Sequence, residues 1–159
     1  MKRLVLKFGG TSVGTIEKIK KVANIIKKRQ SEGNEIIVVV SAMSGVTNEL
    51  IKKSNLISKN FDIKELDTLL SSGEQVSSSL LSGAIIDLGL KARSWLGWQI
   101  PILTNDSYNS SQIIKIKTEE ILSFISSGGI AVIAGFQGIS KDYRITTLGR
   151  GGSDLSAVA

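Results

Sequence analysis

Leu4-Val5-Leu6-Lys7-Phe8-Gly9-Gly10-Thr11-Ser12-Val13-Gly14 is the stretch on which the reading of the chain turns. An apolar run with a single lysine enters a pair of glycines and then a polar segment. Beyond Thr15, the residues Ile16, Ile19, Val22, Ala23 and Ile26 recur three and four apart, as on one face of a helix. A strand that feeds a glycine-rich turn into a helix aims backbone N–H groups at an anion, and the helix N-terminus adds partial positive charge. Lys7, near the end of the strand, adds a full charge beside them. The segment reads as a phosphate site, with a plain strand-to-helix turn and a solvated lysine as the alternative.

Two familiar phosphate motifs do not fit. Gly9 to Gly14 has the G-x-x-x-x-G spacing of a Walker A loop, but Thr15 stands where that loop needs lysine. The run Gly149-Arg150-Gly151-Gly152-Ser153-Asp154 lacks the last glycine of a G-x-G-x-x-G fingerprint. Neither a P-loop NTPase nor a Rossmann dehydrogenase follows.

Outward from this stretch, Ile36-Ile37-Val38-Val39-Val40 is a continuous β-branched run, as in a strand buried on both faces of a parallel sheet. It ends in a second small polar loop, residues 41–48, where Thr47 or Asn48 can cap a helix carrying Leu50, Ile51 and Ile57. Two β-loop-α units in succession predict an α/β fold, an open and mostly parallel sheet sandwiched by helices, with ligands beyond the carboxyl ends of the strands. A helix is predicted over residues 62–70, interrupted by Ser71-Ser72-Gly73. Glu74 then opens a further helix, a position that the helix dipole alone explains. Short strands are predicted at 92–95, 100–103 and 113–116, a helix after Thr118, and a second buried strand at 130–134. A hairpin turns at Ser140-Lys141-Asp142. Trp95 and Trp98 read as packing residues. In the last segment Arg150 offers a bidentate fork for a carboxylate or phosphate, and Gly151-Gly152 expose amides. Ser153 or Asp154 can cap a short helix there, and simple capping is the alternative for that segment.

Composition bounds the chemistry. The chain has 159 residues, enough for one domain with a substantial core, and 42% of them are hydrophobic. It has no cysteine, which leaves no disulfide framework and makes a cytoplasmic location the expectation. No apolar run approaches the ~20 residues of a membrane span, so no membrane partner is expected. Histidine is also absent, which excludes a histidine base, a Ser-His-Asp triad and the usual zinc ligand sets. Phosphoryl transfer to a carboxylate fits that limit, because a carboxylate with a pKa near ~4 is already an ionised nucleophile at neutral pH. The net charge of +6 raises nucleic-acid binding. Much of the excess, however, lies off the apolar stripe of the first helix, and aromatics are only 5%, too few for stacking on bases.

Five motifs in order carry a family resemblance: residues 7–13, residues 39–48, Ser72-Gly73-Glu74-Gln75-Val76, Gly135-Phe136-Gln137-Gly138 and residues 146–154. Together they closely resemble the aspartate kinases of the amino acid kinase family, over essentially the whole chain. The resemblance implies ATP-dependent phosphorylation of the β-carboxylate of L-aspartate, the entry step to lysine, threonine and methionine synthesis. By position, Lys7 would neutralise the transferring phosphoryl group and Asp154 would orient Lys7. Phe8, Gly9, Gly10, Ser12 and Ser41 would lie along the nucleotide phosphates. Thr47 and Glu74 would hold aspartate, Glu74 through the ammonium group, and Arg150 would clamp a carboxylate with help from Gly151, Gly152 and Ser153. Mg²⁺ would arrive with ATP, held by phosphates and water, with no protein metal site.

The family continues beyond this point into a lobe for adenine and ribose. The resemblance therefore identifies residues 1–159 as the amino-acid-binding lobe of a kinase catalytic domain, with little activity of its own and a tendency to self-associate or to pair with a missing C-terminal half. The competing readings are an inactive remnant or interaction module, and a related kinase acting on another carboxylate.

Overall fold

The computed structural model describes residues 2–159. The elements in order are β1 (Arg3–Phe8), α1 (Ile16–Ser31), β2 (Glu35–Val40), α2 (Val46–Ile57), α3 (Ile63–Asp87), β3 (Ala92–Trp95), β4 (Ile102–Thr104), β5 (Ile113–Ile116), α4 (Glu119–Ser126), β6 (Ile130–Ala134), β7 (Gln137–Ile139), β8 (Ile145–Thr147) and α5 (Gly152–Val158). The main sheet has the order β1-β2-β6-β3 and every pairing in it is parallel. A second sheet, β5-β4-β7-β8, is mostly antiparallel and contains the hairpin read from the sequence.

Side chains alternate across a strand, so a central strand feeds two cores at once. Ile36, Val38 and Val40 of β2 join Ile130 and Val132 of β6 against Ile19, Val22 and Ile26 of α1 and Leu81 and Ile85 of α3. Val39, Ala131 and Ile133 face the other way, onto Ile121 and Ile125 of α4, Trp95, and Ile100 and Ile102 beside the second sheet. The continuous apolar runs of β2 and β6 follow from this double burial.

Four local expectations are corrected. Residues 71–73 do not interrupt a helix: α3 runs unbroken from Ile63 to Asp87, capped by the Asp62 carboxylate, which accepts from the N–H groups of Lys64 and Glu65. Glu74 therefore sits mid-helix and not at a helix start. The cap of α2 is Gly45 at φ 87° and that of α5 is Gly151 at φ 72°, with no side-chain cap bond at either. Thr47, Asn48, Ser153 and Asp154 instead lie within the first turns, because glycine reaches the left-handed conformation that these chain reversals use. Residues 96–101 form turns, with the N–H of Gln99 donating to the Leu96 carbonyl, so the strand expected over 100–103 begins only at Ile102.

The reason α3 passes through Ser71-Ser72-Gly73 is packing. A Cβ on Gly73 would stand 2.8 Å from the Cβ of Ala42, in the loop after β2. Helix propensity alone favours alanine over glycine by about 1 kcal/mol. Here Gly73→Ala is expected to destabilise the chain by about 1–3 kcal/mol, the cost of overpacking against a rigid neighbour. Urea unfolding checks the sign, and a gain in stability would show that α3 can move off the loop.

Candidate active site

Three loops meet at the carboxyl ends of the parallel strands. Strands β1 and β2 run in register, Lys7 beside Val39 and Phe8 beside Val40, so both open onto the same edge. The first loop folds onto the second. The Gly9 carbonyl accepts from the N–H of Ser12 at 2.9 Å, the Gly10 carbonyl accepts from Ser44 at 3.2 Å, and a Cβ on Gly10 would be 2.6 Å from the Ala42 carbonyl oxygen. The third loop follows β6, where the N–H of Gly135 donates to the Val40 carbonyl at 3.0 Å. Across these loops the Lys7 ammonium pairs with Asp154 Oδ1 at 2.7 Å. Both side chains are partly solvated, so the pair adds little stability, and its effect is to fix where the ammonium points.

Glu74 reaches the same place from below. The close approach at Gly73 brings α3 against the loop after β2, and Glu74 Oε1 accepts from the Ala42 N–H at 2.9 Å. Its other oxygen, Oε2, is buried without a hydrogen-bond partner among the described residues. Burial pushes the carboxyl up to about 7, against the Ala42 hydrogen bond, which pulls it down. A buried carboxyl with one unused oxygen is held ready for a donor from outside the described residues.

An open cavity of about 630 Å³ brings Lys7, Ser41, Thr47, Glu74, Arg150, Gly151, Gly152, Ser153 and Asp154 together. Phe8, Gly9, Gly10 and Ser12, assigned with them from the sequence, do not line it. Phe8 packs against the core beside α1, Gly9 closes its own turn through the Ser12 N–H and lies beside the Lys7 ammonium, Gly10 is folded against the second loop, and Ser12 is exposed. Asn109 and Phe136 line the cavity without a role assigned from the sequence, and Asn48, read there only as a candidate helix cap, lines it too. Asn109 sits in a loop between β4 and β5 at φ 63°, and no local pattern marks it. Phe136 lay inside a quoted motif, but nothing in its residue type suggested that it would border a polar cavity.

The sequence profile of the amino acid kinase family matches residues 2–159. The chain belongs to the amino acid kinase family. It is 48% identical to an aspartate kinase of Stutzerimonas stutzeri over 159 residues, all of this chain and 39% of that protein. It is 47% identical to an aspartokinase of Bacillus sp. (strain MGA3) over 156 residues, 98% of this chain and 38% of that one. This amino acid kinase chain thus spans about two fifths of the length of these curated relatives. Among solved structures, aspartate kinase from Synechocystis superposes with a TM-score of 0.80 at 46% identity, covering 98% of this chain and 25% of that one. Escherichia coli aspartokinase III, solved in complex with aspartate and ADP, shares the fold with a TM-score of 0.77 at 22% identity, covering 94% of this chain and 44% of that one. In the present amino acid kinase chain, the glycine loops and Glu74 lie where the parallel strands end, the place ligands take in open α/β sheets.

The raised pKa of Glu74 has a sign that can be measured. Between pH 4.5 and about 7 the folded chain holds a proton that the unfolded chain has released. Stability is therefore lost as pH rises through that window, by on the order of 3 kcal/mol. Glu74→Gln keeps the acceptor for Ala42 and removes the titration. Urea unfolding across this range is expected to show wild type weakening toward pH 7 while the variant stays flatter; parallel curves would mean that Glu74 titrates as an ordinary glutamate.

Proposed function

We propose that this chain forms the amino-acid-binding part of an aspartate kinase, which transfers the γ-phosphoryl group of ATP to the β-carboxylate of L-aspartate, the entry step to lysine, threonine and methionine synthesis. The observation that carries the reading is the convergence of Glu74, Arg150 and Lys7 on one cavity, in a chain 46–48% identical to proteins named aspartate kinase. Glu74 Oε2, buried and without a partner, takes the substrate ammonium. Arg150, which lines the same cavity, forks onto a carboxylate. Thr47 and Ser153 add hydroxyls to the same lining. An acid carrying both an amino group and carboxylates matches a lining that holds an acidic and a basic side chain.

Lys7 is positioned for the phosphoryl group. Asp154 holds its ammonium at 2.7 Å, so the charge is already oriented when the nucleotide arrives. The attacking carboxylate oxygen needs no general base, which suits a chain without histidine. Catalysis is then positioning together with stabilisation of charge on the transferring oxygens. Mg²⁺ enters with ATP. Among the described residues Glu74 and Asp154 are the carboxylates lining the cavity, the first committed to Ala42 and the second to Lys7. This fits a cation carried by phosphates and water rather than by a protein cage.

Calorimetric titration with L-aspartate, with L-glutamate as control, tests the reading. Selective binding of L-aspartate is expected, with release of a proton at pH 6 because the ammonium draws Glu74 to its ionised form. Arg150→Ala is expected to weaken binding about 10- to 100-fold, the loss of a charge-assisted hydrogen bond. Equal affinity for both acids, or binding that releases no proton at pH 6, would overturn the assignment of Glu74 and Arg150.

A further inference from the structure

Asp67 is fully buried on α3, two turns before Glu74, and its carboxylate is engaged from outside its own helix. Oδ1 accepts from the Thr147 hydroxyl at 2.8 Å and Oδ2 from the Thr147 N–H at 2.8 Å. The N–H of Asn109 donates to both oxygens at 3.0 Å. One carboxylate thereby fastens two segments that are far apart in sequence, the turn at Asn109 and the end of β8. These segments are also joined to each other: the N–H of Ser111 donates to the Thr147 carbonyl at 2.9 Å, and a Cβ on Gly149 would lie 3.2 Å from the Asn109 carbonyl oxygen. Asn109, Gly149 and Arg150 then form one wall of the cavity.

We propose that Asp67 is a positioning residue for Arg150: by clamping Thr147 and Asn109 it sets the height at which the guanidinium meets the ligand carboxylate. The inference rests on reading the cavity as the site of an acidic amino acid. It assigns Asp67 no contact with the ligand. The arrangement is costly to leave incomplete, since a buried carboxylate stripped of its donors keeps its desolvation penalty. Burial does push this carboxyl above its ordinary range, and the Asn109 and Thr147 donors oppose the rise. Three donors on one buried carboxylate fix Asn109 and Thr147 more firmly than a solvated pair such as Lys7–Asp154 fixes its side chains.

The test uses Asp67→Asn, with Thr147→Val as the milder variant should the first fail to fold. Amide hydrogen exchange on the chain without ligand is expected to lose protection at residues 107–111 and 147–152, while α3 and β2 keep theirs. Loss spread evenly over the chain, or no loss, would overturn the clamp. In parallel, L-aspartate affinity is expected to fall about tenfold in Asp67→Asn and to change little when Arg150→Ala is already present. The same fall in both backgrounds would make Asp67 merely structural. If wild-type chain binds no L-aspartate, the reading of the cavity fails, and the exchange experiment still decides whether Asp67 sets the wall.

Discussion

Helix α3 lies against the sheet with a polar stripe turned inward. Asp67, Ser71 and Glu74, four and three residues apart, are all buried. A buried polar group costs a few kcal/mol unless it finds a partner, and here the Ser71 hydroxyl donates to the Thr68 carbonyl of its own helix while the other partners come from other segments of the chain. Asp67 takes Asn109 and Thr147, the Ser71 carbonyl accepts from the Gln137 side chain at 3.1 Å, and Glu74 takes Ala42. Four segments, namely the loop after β2, the turn at Asn109, the start of β7 and the end of β8, are held by one helix face. The cavity has its shape because the helix would be unstable there without them.

The same face also explains where strain is accepted. Ser71 and Asp67 are matched by donors, whereas Glu74 is matched on only one oxygen. An unsatisfied buried carboxyl persists in a folded chain only where the surrounding contacts outweigh it. The two apolar cores on either side of β2 and β6 supply that surplus. The polar edge of the sheet is thus supported by burial some distance below it.

Much of this was legible in the residues. Ile36 to Val40 and Ile130 to Ala134 read as doubly buried strands because their apolar runs lack polar alternation, and Lys7 stood out as a charge at the end of such a strand. The helix breaks and caps were less legible. Ser71-Ser72-Gly73 has poor helix propensity, and only the approach of Ala42 to Gly73, a contact 31 positions distant by number, shows why small residues belong inside α3. Thr47, Asn48, Ser153 and Asp154 have the chemistry of caps, but glycines just before them take that position through positive φ. Asp67 was missed because an aspartate in a helix ordinarily reads as solvated. Its one signal was its spacing from Ser71 and Glu74, which places all three on a single face. The partners that bury it, Asn109 and Thr147, are 42 and 80 residues away.

The two tryptophans, read together as packing residues, end in opposite surroundings. Trp95 is 1% exposed, edge-on to Phe124 with the Arg93 guanidinium 3.9 Å from its ring. Trp98 is 49% exposed in the turn after β3, next to Gly97, whose N–H is aimed at the Gln137 side chain at 3.4 Å. The chain therefore carries two intrinsic fluorophores of different colour. Blue-shifted emission follows the core around α4, and red-shifted emission, open to aqueous quenchers, follows a turn linked through Gln137 to Ser71 on α3. Loosening of the loops and melting of the core can be separated by wavelength without attaching a label.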